Sequence, residues 1–219
     1  MKIAVLIATR LASKRIKNKS LKKFGKQNLT HIKLLQAKRL SIFDKYYFSS
    51  DSTKLNSYAR KLGYEIILRP KKYLSDSTIS EFGPYLASKI SIKNICYLTN
   101  TSPLIKDQTI IQAVKKYQNL NKNKFDSIAT FEKCNSFLWD NTKPINYSVN
   151  NQPRSQDLKN VFIFNPAISI LSKKNILKFK NVVGRKPYKI IIQKPESIDI
   201  DTIYDFYLAK IYKNKKIKF

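Results

Sequence analysis

Residues 2–19 read KIAVLIATRLASKRIKNK. From Lys2 to Ala8 the run is continuously apolar with β-branched members, the pattern of a strand covered on both faces in a parallel sheet. The segment Thr9 to Lys19 then crowds Arg10, Lys14, Arg15, Lys17 and Lys19 around the hydroxyl of Ser13. In an open α/β sheet, ligands bind outside the carboxyl ends of the strands. Cations at that point suit a polyphosphate through charge-assisted hydrogen bonds, with arginine able to bind in bidentate fashion. Neither GxGxxG nor GxxxxGK[ST] is present, so the loop is neither a dinucleotide fingerprint nor a P-loop. A solvated basic loop in a lysine-rich chain is the plain alternative.

Working outward, helix and strand patterns alternate. Helices are expected over Leu29–Leu40, Thr53–Leu62 with Gly63 as its stop, Thr78–Ile90, Gln108–Tyr117, Lys173–Phe179 and Thr202–Tyr212. Strands are expected over Lys45–Ser50, Tyr64–Leu68, Ile95–Leu98, Asp126–Phe131 and Tyr188–Ile192, and over Val161–Leu171 with a break at Asn165 and Pro166. This order implies an α/β fold: a mainly parallel sheet with helices on both faces. Residues 135–160 lose periodicity and collect Pro, Asn and Ser, which reads as an excursion from the sheet, a lid or a dimer contact. No linker divides the chain, so residues 1–219 are expected to form one domain.

Composition bounds the partners. The 219 residues are 42% hydrophobic, enough for a sizeable core, and 43 Lys and Arg against 14 Asp and Glu give a formal charge of +29. Such a field favours anionic partners. The lysines are spread along the whole chain and most arginines stand singly, unlike the clustered basic face of a dedicated nucleic-acid binder, so no specific nucleic acid is expected. No apolar run is long enough to span a membrane, and the opening apolar stretch is too short for a secretory signal, which leads to the expectation of a cytoplasmic protein without a membrane partner. Cys96 and Cys134 lack metal-ligand spacing and read as buried thiols. His31 is the only histidine, which excludes chemistry that needs two.

A second candidate for chemistry is Glu196-Ser-Ile-Asp199-Ile-Asp201-Thr202. Side chains at i and i+2 of an extended segment share a side. Two carboxylates facing phosphates suit Mg²⁺, which takes one or two protein carboxylates together with water and substrate oxygens. Capping of the last helix by Asp201 or Thr202 is the competing reading.

Taken in order, Arg10-x-x-Ser13-Lys14-x-Ile16-x-x-Lys19-x-Leu21, Ser49-Ser50-Asp51, Arg69-Pro70, Thr101-Ser102-Pro103-Leu104 and Ser197-Ile198-Asp199-Ile200-Asp201 resemble the CMP-sialic acid synthetase family of cytidylyltransferases. The stretch from Ser13 to Lys19 and Gly184-Arg185 look most like the branch acting on legionaminic acid and related bacterial nonulosonic acids, while Arg15 and Lys19 are also similar to the CMP-KDO synthetases. The resemblance implies a Rossmann-like nucleotidyltransferase fold and a homodimer built partly from the excursion. It also implies a Mg²⁺-dependent reaction in which CTP and a 2-keto-3-deoxy sugar acid give a CMP-sugar and pyrophosphate. Carried over position by position, Arg10, Ser13, Lys14 and Lys19 hold the triphosphate, Arg69 and Ser80 lie near the cytidine, and Asp199 and Asp201 hold Mg²⁺. Arg154 and Gln156 belong to the part that meets the sugar acid, and Asn165 matches the Asn of an Asn-Gly-Ala-Ile strand. Arg10, Lys19 and Asp201 are the groups expected to act in the chemistry, with Asp201 or a metal-bound hydroxide as base.

Three positions depart from the family pattern. Thr99 stands where a substrate-facing Gln is expected, Pro166 where Gly is usual, and Ser20 in place of an Asn near the base. The alternatives are therefore transfer to another acid, phosphonate or phosphate acceptor, a catalytically silent relative and, more remotely, a nucleic-acid-binding protein.

Overall fold

The computed structural model describes residues 1–11, 13, 15–74 and 78–214. Its organising element is strand β1 (Ile3–Ala8), six residues all buried. A strand buried on both faces needs parallel neighbours on both edges, and β1 has them in β4 (Lys45–Ser49) and β6 (Asn94–Leu98). Between β1 and β4, a two-stranded hairpin of β2 (Lys23–Phe24) and β3 (Gln27–Asn28) leads into helix α1 (Leu29–Leu40). The hairpin carries no sequence signal strong enough to have been expected.

The main sheet continues with β5 (Glu65–Ile66), β7 (Ser127–Lys133), β8 (Phe162–Ser172) and β9 (Pro187–Ile191) in the order β5-β4-β1-β6-β8-β7-β9. Among the described residues, β8 alone runs against its neighbours, so the sheet is mixed but mainly parallel. Helices α1, α2 (Thr53–Lys61) and α4 (Asp107–Gln118) cover one face, where Leu34, Leu55 and Ile110 pack on Val5, Phe48 and Leu98. Helices α3 (Ile79–Lys89) and α5 (Lys173–Phe179) cover the other, with Leu86, Ile90 and Ile176 against Leu6 and Ile95. Helix α6 (Ile203–Asn214) packs at the carboxyl end of the sheet.

The expected break at Asn165 and Pro166 is not a break. Strand β8 runs through both residues, and the register against β7 jumps from Ala129↔Ser169 to Thr130↔Asn165. Proline lacks the N–H that a regular ladder requires, and a bulge accommodates it. Thr130 satisfies the freed backbone: its Oγ1 donates toward Asn165 O at 2.8 Å and Ile168 O at 3.2 Å, and accepts from Ile168 N at 3.0 Å. Between β7 and β8 the excursion is irregular apart from a 3₁₀ turn at Ser155–Asp157. It is organised around buried Asn146, whose side chain bonds Leu138 N and Ser136 O, both at 2.9 Å. Phe137, Trp139, Ile145 and Val149 remain exposed on it. No helix among the described residues is long and apolar enough to cross a membrane.

Helix α1 also buries a polar stripe. Lys33 is 0% exposed, and its Nζ donates to Gln36 Oε1 at 2.7 Å and to Ser102 O at 2.9 Å. Burial pushes the lysine down to about 7. The unfolded chain, with an ordinary lysine, therefore binds more protons above that pH, and stability rises with pH. Urea unfolding at pH 7 and pH 9 is expected to show this rise, at most about 1.4 kcal/mol per pH unit, and Lys33→Met is expected to flatten it. Above that window the buried Cys96 thiol, pushed up by desolvation, opposes the trend.

Candidate active site

The carboxyl ends of β1 and β6 open into a cavity of about 660 Å³. Arg10, Ser13, Arg15 and Lys19 from the loop after β1 line it together with Arg69, Ile79 and Phe82, and Tyr97, Thr99 and Thr101 come from β6 and the turn beyond it. The lining combines cations, suited to a polyphosphate, with the ring of Phe82 and the hydrocarbon of Ile79, suited to packing on a ring.

The start of the basic loop is held by buried hydroxyls and amides. Thr9 Oγ1 and Ser20 Oγ share a hydrogen bond, Ser20 Oγ donates to Arg10 O at 3.0 Å, and Asn100 Nδ2 donates to Thr9 Oγ1 at 3.2 Å and Thr30 Oγ1 at 3.1 Å. From outside, Asp51 Oδ1 accepts Leu11 N at 2.8 Å. Ser20, where the resemblance leads one to expect Asn, is thus engaged within the loop while also lining the cavity. Arg69 is buried, donates through Nη2 to Thr9 O and lies 5.2 Å from the Phe82 ring. Its Nε is buried without a partner among the described residues, and burial lowers its pKa.

The carboxylate pair lies beside the cavity, bonded to its lining residues Thr101, Arg15 and Lys19. Ile198 and Ile200 bury their side chains against Ile16, Phe24, Leu29 and Phe206, and strand-like alternation turns Asp199 and Asp201 the other way. Asp199 Oδ1 accepts from Ser102 Oγ at 3.3 Å, and Ile200 N donates to Thr101 O at 2.8 Å. Burial raises the Asp199 pKa, opposed by its bond from Thr101 and reinforced by the nearby Asp201 charge. Asp201 Oδ1 lies 2.9 Å from Arg15 Nη2 and 3.1 Å from Lys19 Nζ. Lys19 also donates to Ile200 O at 2.7 Å, tying the basic loop directly to the carboxylate segment.

Capping does not account for either aspartate. Asp205 Oδ2 receives Asp201 N at 3.1 Å and Thr202 N at 2.6 Å, and Thr202 Oγ1 accepts Asp205 N at 3.3 Å, so Thr202 and Asp205 cap α6 between them. The Asp199 and Asp201 carboxylates, with the hydroxyls of Thr101 and Ser102 beside them, are hard oxygen donors. Among the described residues no third acid, histidine or cysteine completes a ligand cluster. That donor set fits an ion which draws its remaining ligands from water and phosphate.

Of the other residues expected at the site, four lie elsewhere in the single chain. Ser80 is exposed on α3, while the preceding Thr78 and Ile79 line the cavity; a one-residue step on a helix turns the side chain away. Asn165 is buried and donates to Ser197 O at 2.7 Å, holding the carboxylate segment from behind. Arg154 and Gln156 are exposed on the excursion, where Arg154 Nε pairs with Asp157 Oδ2 at 2.8 Å. Lys14 lies outside the described residues. Tyr97, Phe82 and Asn100 were not singled out in the sequence. Alternation along β6, which gives Tyr97 and Thr99 one face, was the signal available for Tyr97. Burial pushes the Tyr97 phenol up to about 12.

The architecture and the cavity define a nucleotidyltransferase fold. A solved CMP:2-keto-3-deoxy-manno-octonic acid synthetase complexed with CTP shares that fold with a TM-score of 0.72 over 99% of this chain and 100% of that one, at 10% identity. The chain belongs to the cytidylyltransferase family, whose model matches residues 4–213. It is 28% identical to an N-acylneuraminate cytidylyltransferase of Escherichia coli O18:K1:H7, over 98% of this chain and 53% of the relative, and so spans about half of that protein. It is 22% identical to the post-translational flagellin modification protein B of Campylobacter coli, over 98% of this chain and 96% of the relative.

The cationic side yields a prediction independent of any nucleotide. Inorganic triphosphate is expected to bind in a salt-dependent manner, and Lys19→Met to weaken it about tenfold, as loss of one charge-assisted hydrogen bond does. Isothermal titration at two ionic strengths checks both.

Proposed function

We propose that this chain catalyses cytidylyl transfer from CTP to a 2-keto-3-deoxy sugar acid of the nonulosonic type, giving a CMP-sugar and pyrophosphate. The observation that carries the reading is that the basic loop lining the cavity and the carboxylate segment are joined through Lys19. Support comes from the family match and from the sialic-acid enzyme among its relatives.

In this reading Arg10, Ser13, Lys14, Arg15 and Lys19 bind the triphosphate, and the wall of Arg69 and Phe82 receives the base. The anomeric hydroxyl of the sugar attacks the α-phosphorus as its proton passes to Asp201, and the bond from the α-phosphorus to pyrophosphate breaks. Charge builds on the phosphoryl oxygens and the leaving group, so cations fixed at that place stabilise the transition state beyond the ground state. Asp199 and Asp201 would hold Mg²⁺, which when bound neutralises phosphate charge. Arg15 and Lys19, which pair with Asp201 here, would turn to the phosphates and leave that carboxylate for the ion. Arg154 and Gln156 reach the sugar acid only if an excursion approaches a cavity, and a homodimer formed through the exposed Phe137, Trp139, Ile145 and Val149 supplies a way to bring it there. Thr99 Oγ1 lies 3.1 Å from Ser102 Oγ and is engaged within the turn, which favours, as a second reading, an acceptor other than a sialic acid.

Pyrophosphate release is measured with Mg²⁺ and each of the four nucleoside triphosphates, against neuraminic, legionaminic and pseudaminic acids, KDO and phosphonates. Release with CTP and a nonulosonic acid is the expected result; release only with a phosphonate moves the conclusion to the second reading, and no release with any pair sinks both. Asp199→Asn and Asp201→Asn are each expected to lower the rate by about 10²- to 10³-fold, the scale of losing one preorganised charge contact, with circular dichroism unchanged.

A further inference from the structure

Helix α1 buries a lysine that none of this chemistry uses. Lys33 is held by two acceptors, Gln36 Oε1 and the backbone carbonyl of Ser102. Gln36 passes the connection on, its Nε2 donating to Ile105 O and Asp107 Oδ1, both at 2.8 Å. Asp107 is closed by Arg39, through Nε at 2.8 Å and Nη2 at 2.7 Å. Lys33, Gln36 and Arg39 are successive residues of one i, i+3 stripe, so α1 grips residues 102–107 from behind at several points.

The front of the same turn holds the carboxylate segment. Thr101 O accepts Ile200 N, and Ser102 Oγ donates to Asp199 Oδ1. Ser102, 0% exposed, is therefore fixed behind by Lys33 and in front touches the aspartate. Taking an ammonium out of water is costly unless it is fully partnered, and an apolar side chain of the same length packs at lower cost. The groups facing Nζ are Gln36, Asp107 and Arg39 from the stripe and its target, and Cys96 from β6. What lysine supplies that methionine cannot is a donor to Ser102 O.

We propose that Lys33 is a positioning residue: by fixing the Ser102 carbonyl from inside helix α1, it sets the place of the Asp199 carboxylate beside the cavity. The inference rests on the cytidylyl-transfer reading for what that carboxylate does, while the positioning itself is read separately.

Lys33→Met, Ser102→Ala and the double variant are compared with wild type in kcat, KM for CTP, melting temperature and Mn²⁺ binding, the last from water-proton relaxation with CTP present. The expected result for Lys33→Met is a fall in kcat of about 10- to 100-fold, the scale of a small misplacement of a reacting group, with KM for CTP within about twofold. Mn²⁺ affinity is expected to fall in parallel, and the double variant to be no worse than the worse single one, since both act through one turn. A lowered melting temperature with wild-type kcat and Mn²⁺ affinity overturns the proposal, because that is all a structural tie would show. If Lys33→Met does not fold, Gln36→Met is put through the same measurements and judged by the same outcomes. If wild type binds Mn²⁺ but turns over no acid, cytidylyl transfer fails as the reading, and Mn²⁺ affinity in the variant alone decides on Lys33. Wild type that binds no Mn²⁺ overturns both.

Discussion

Two segments almost a full chain length apart share one small apolar cluster, and the site exists because they do. Ile16 and Phe24 follow the basic loop, Ile198 and Ile200 precede α6, and Phe206 and Ala209 close over them. In an extended segment the isoleucines bury only if the alternate residues face outward. Burial of ordinary hydrocarbon thus turns Asp199 and Asp201 away from the cluster and leaves Lys19, which lines the cavity, within reach of Asp201 and of Ile200 O. The polar contacts between the two segments are few; the cluster supplies the apolar burial that brings them together.

Charge plays a local part in a molecule that is basic nearly everywhere. The scarce acids are placed with structural economy: Asp51 holds Leu11 N, Asp126 accepts Arg185 N and Lys186 N, Glu196 accepts Thr109 Oγ1, and Asp205 caps α6. Asp199 and Asp201 differ in that neither holds a helix end or the backbone of a turn. The positive field draws anions in general, but it is the start of the loop, held by Thr9, Ser20 and Asn100, that sets the backbone of Arg10 beside the cavity.

Much of the architecture was legible locally. The apolar run of β1 and the apolar stripes of α1, α2 and α4 carry the periodicities of their own elements, and Gly63, at a φ of +77°, ends α2 as a left-handed stop. The hairpin of β2 and β3 was missed because two-residue strands are too short to show a period. A proline's missing N–H has the same signature in a break and in a bulge, and at Pro166 it is the hydroxyl of Thr130 that makes the difference. Ser80 stands one residue past Thr78 and Ile79, which line the cavity, and one step along a helix is enough to change a side chain's direction.

The sequence by itself determined the alternation of strands and helices, the basic loop after the first strand and the Asp-Ile-Asp alternation, because each is a matter of neighbours a few residues apart. Only the tertiary structure decided that capping of α6 belongs to Thr202 and Asp205, that Asn165 serves as a brace, that Tyr97 and Phe82 line the cavity, and that a buried lysine stands behind the carboxylates. Those depend on which surfaces the packed sheet brings within hydrogen-bond distance, and a hydrogen bond or a desolvated charge has no signature until both partners are in place.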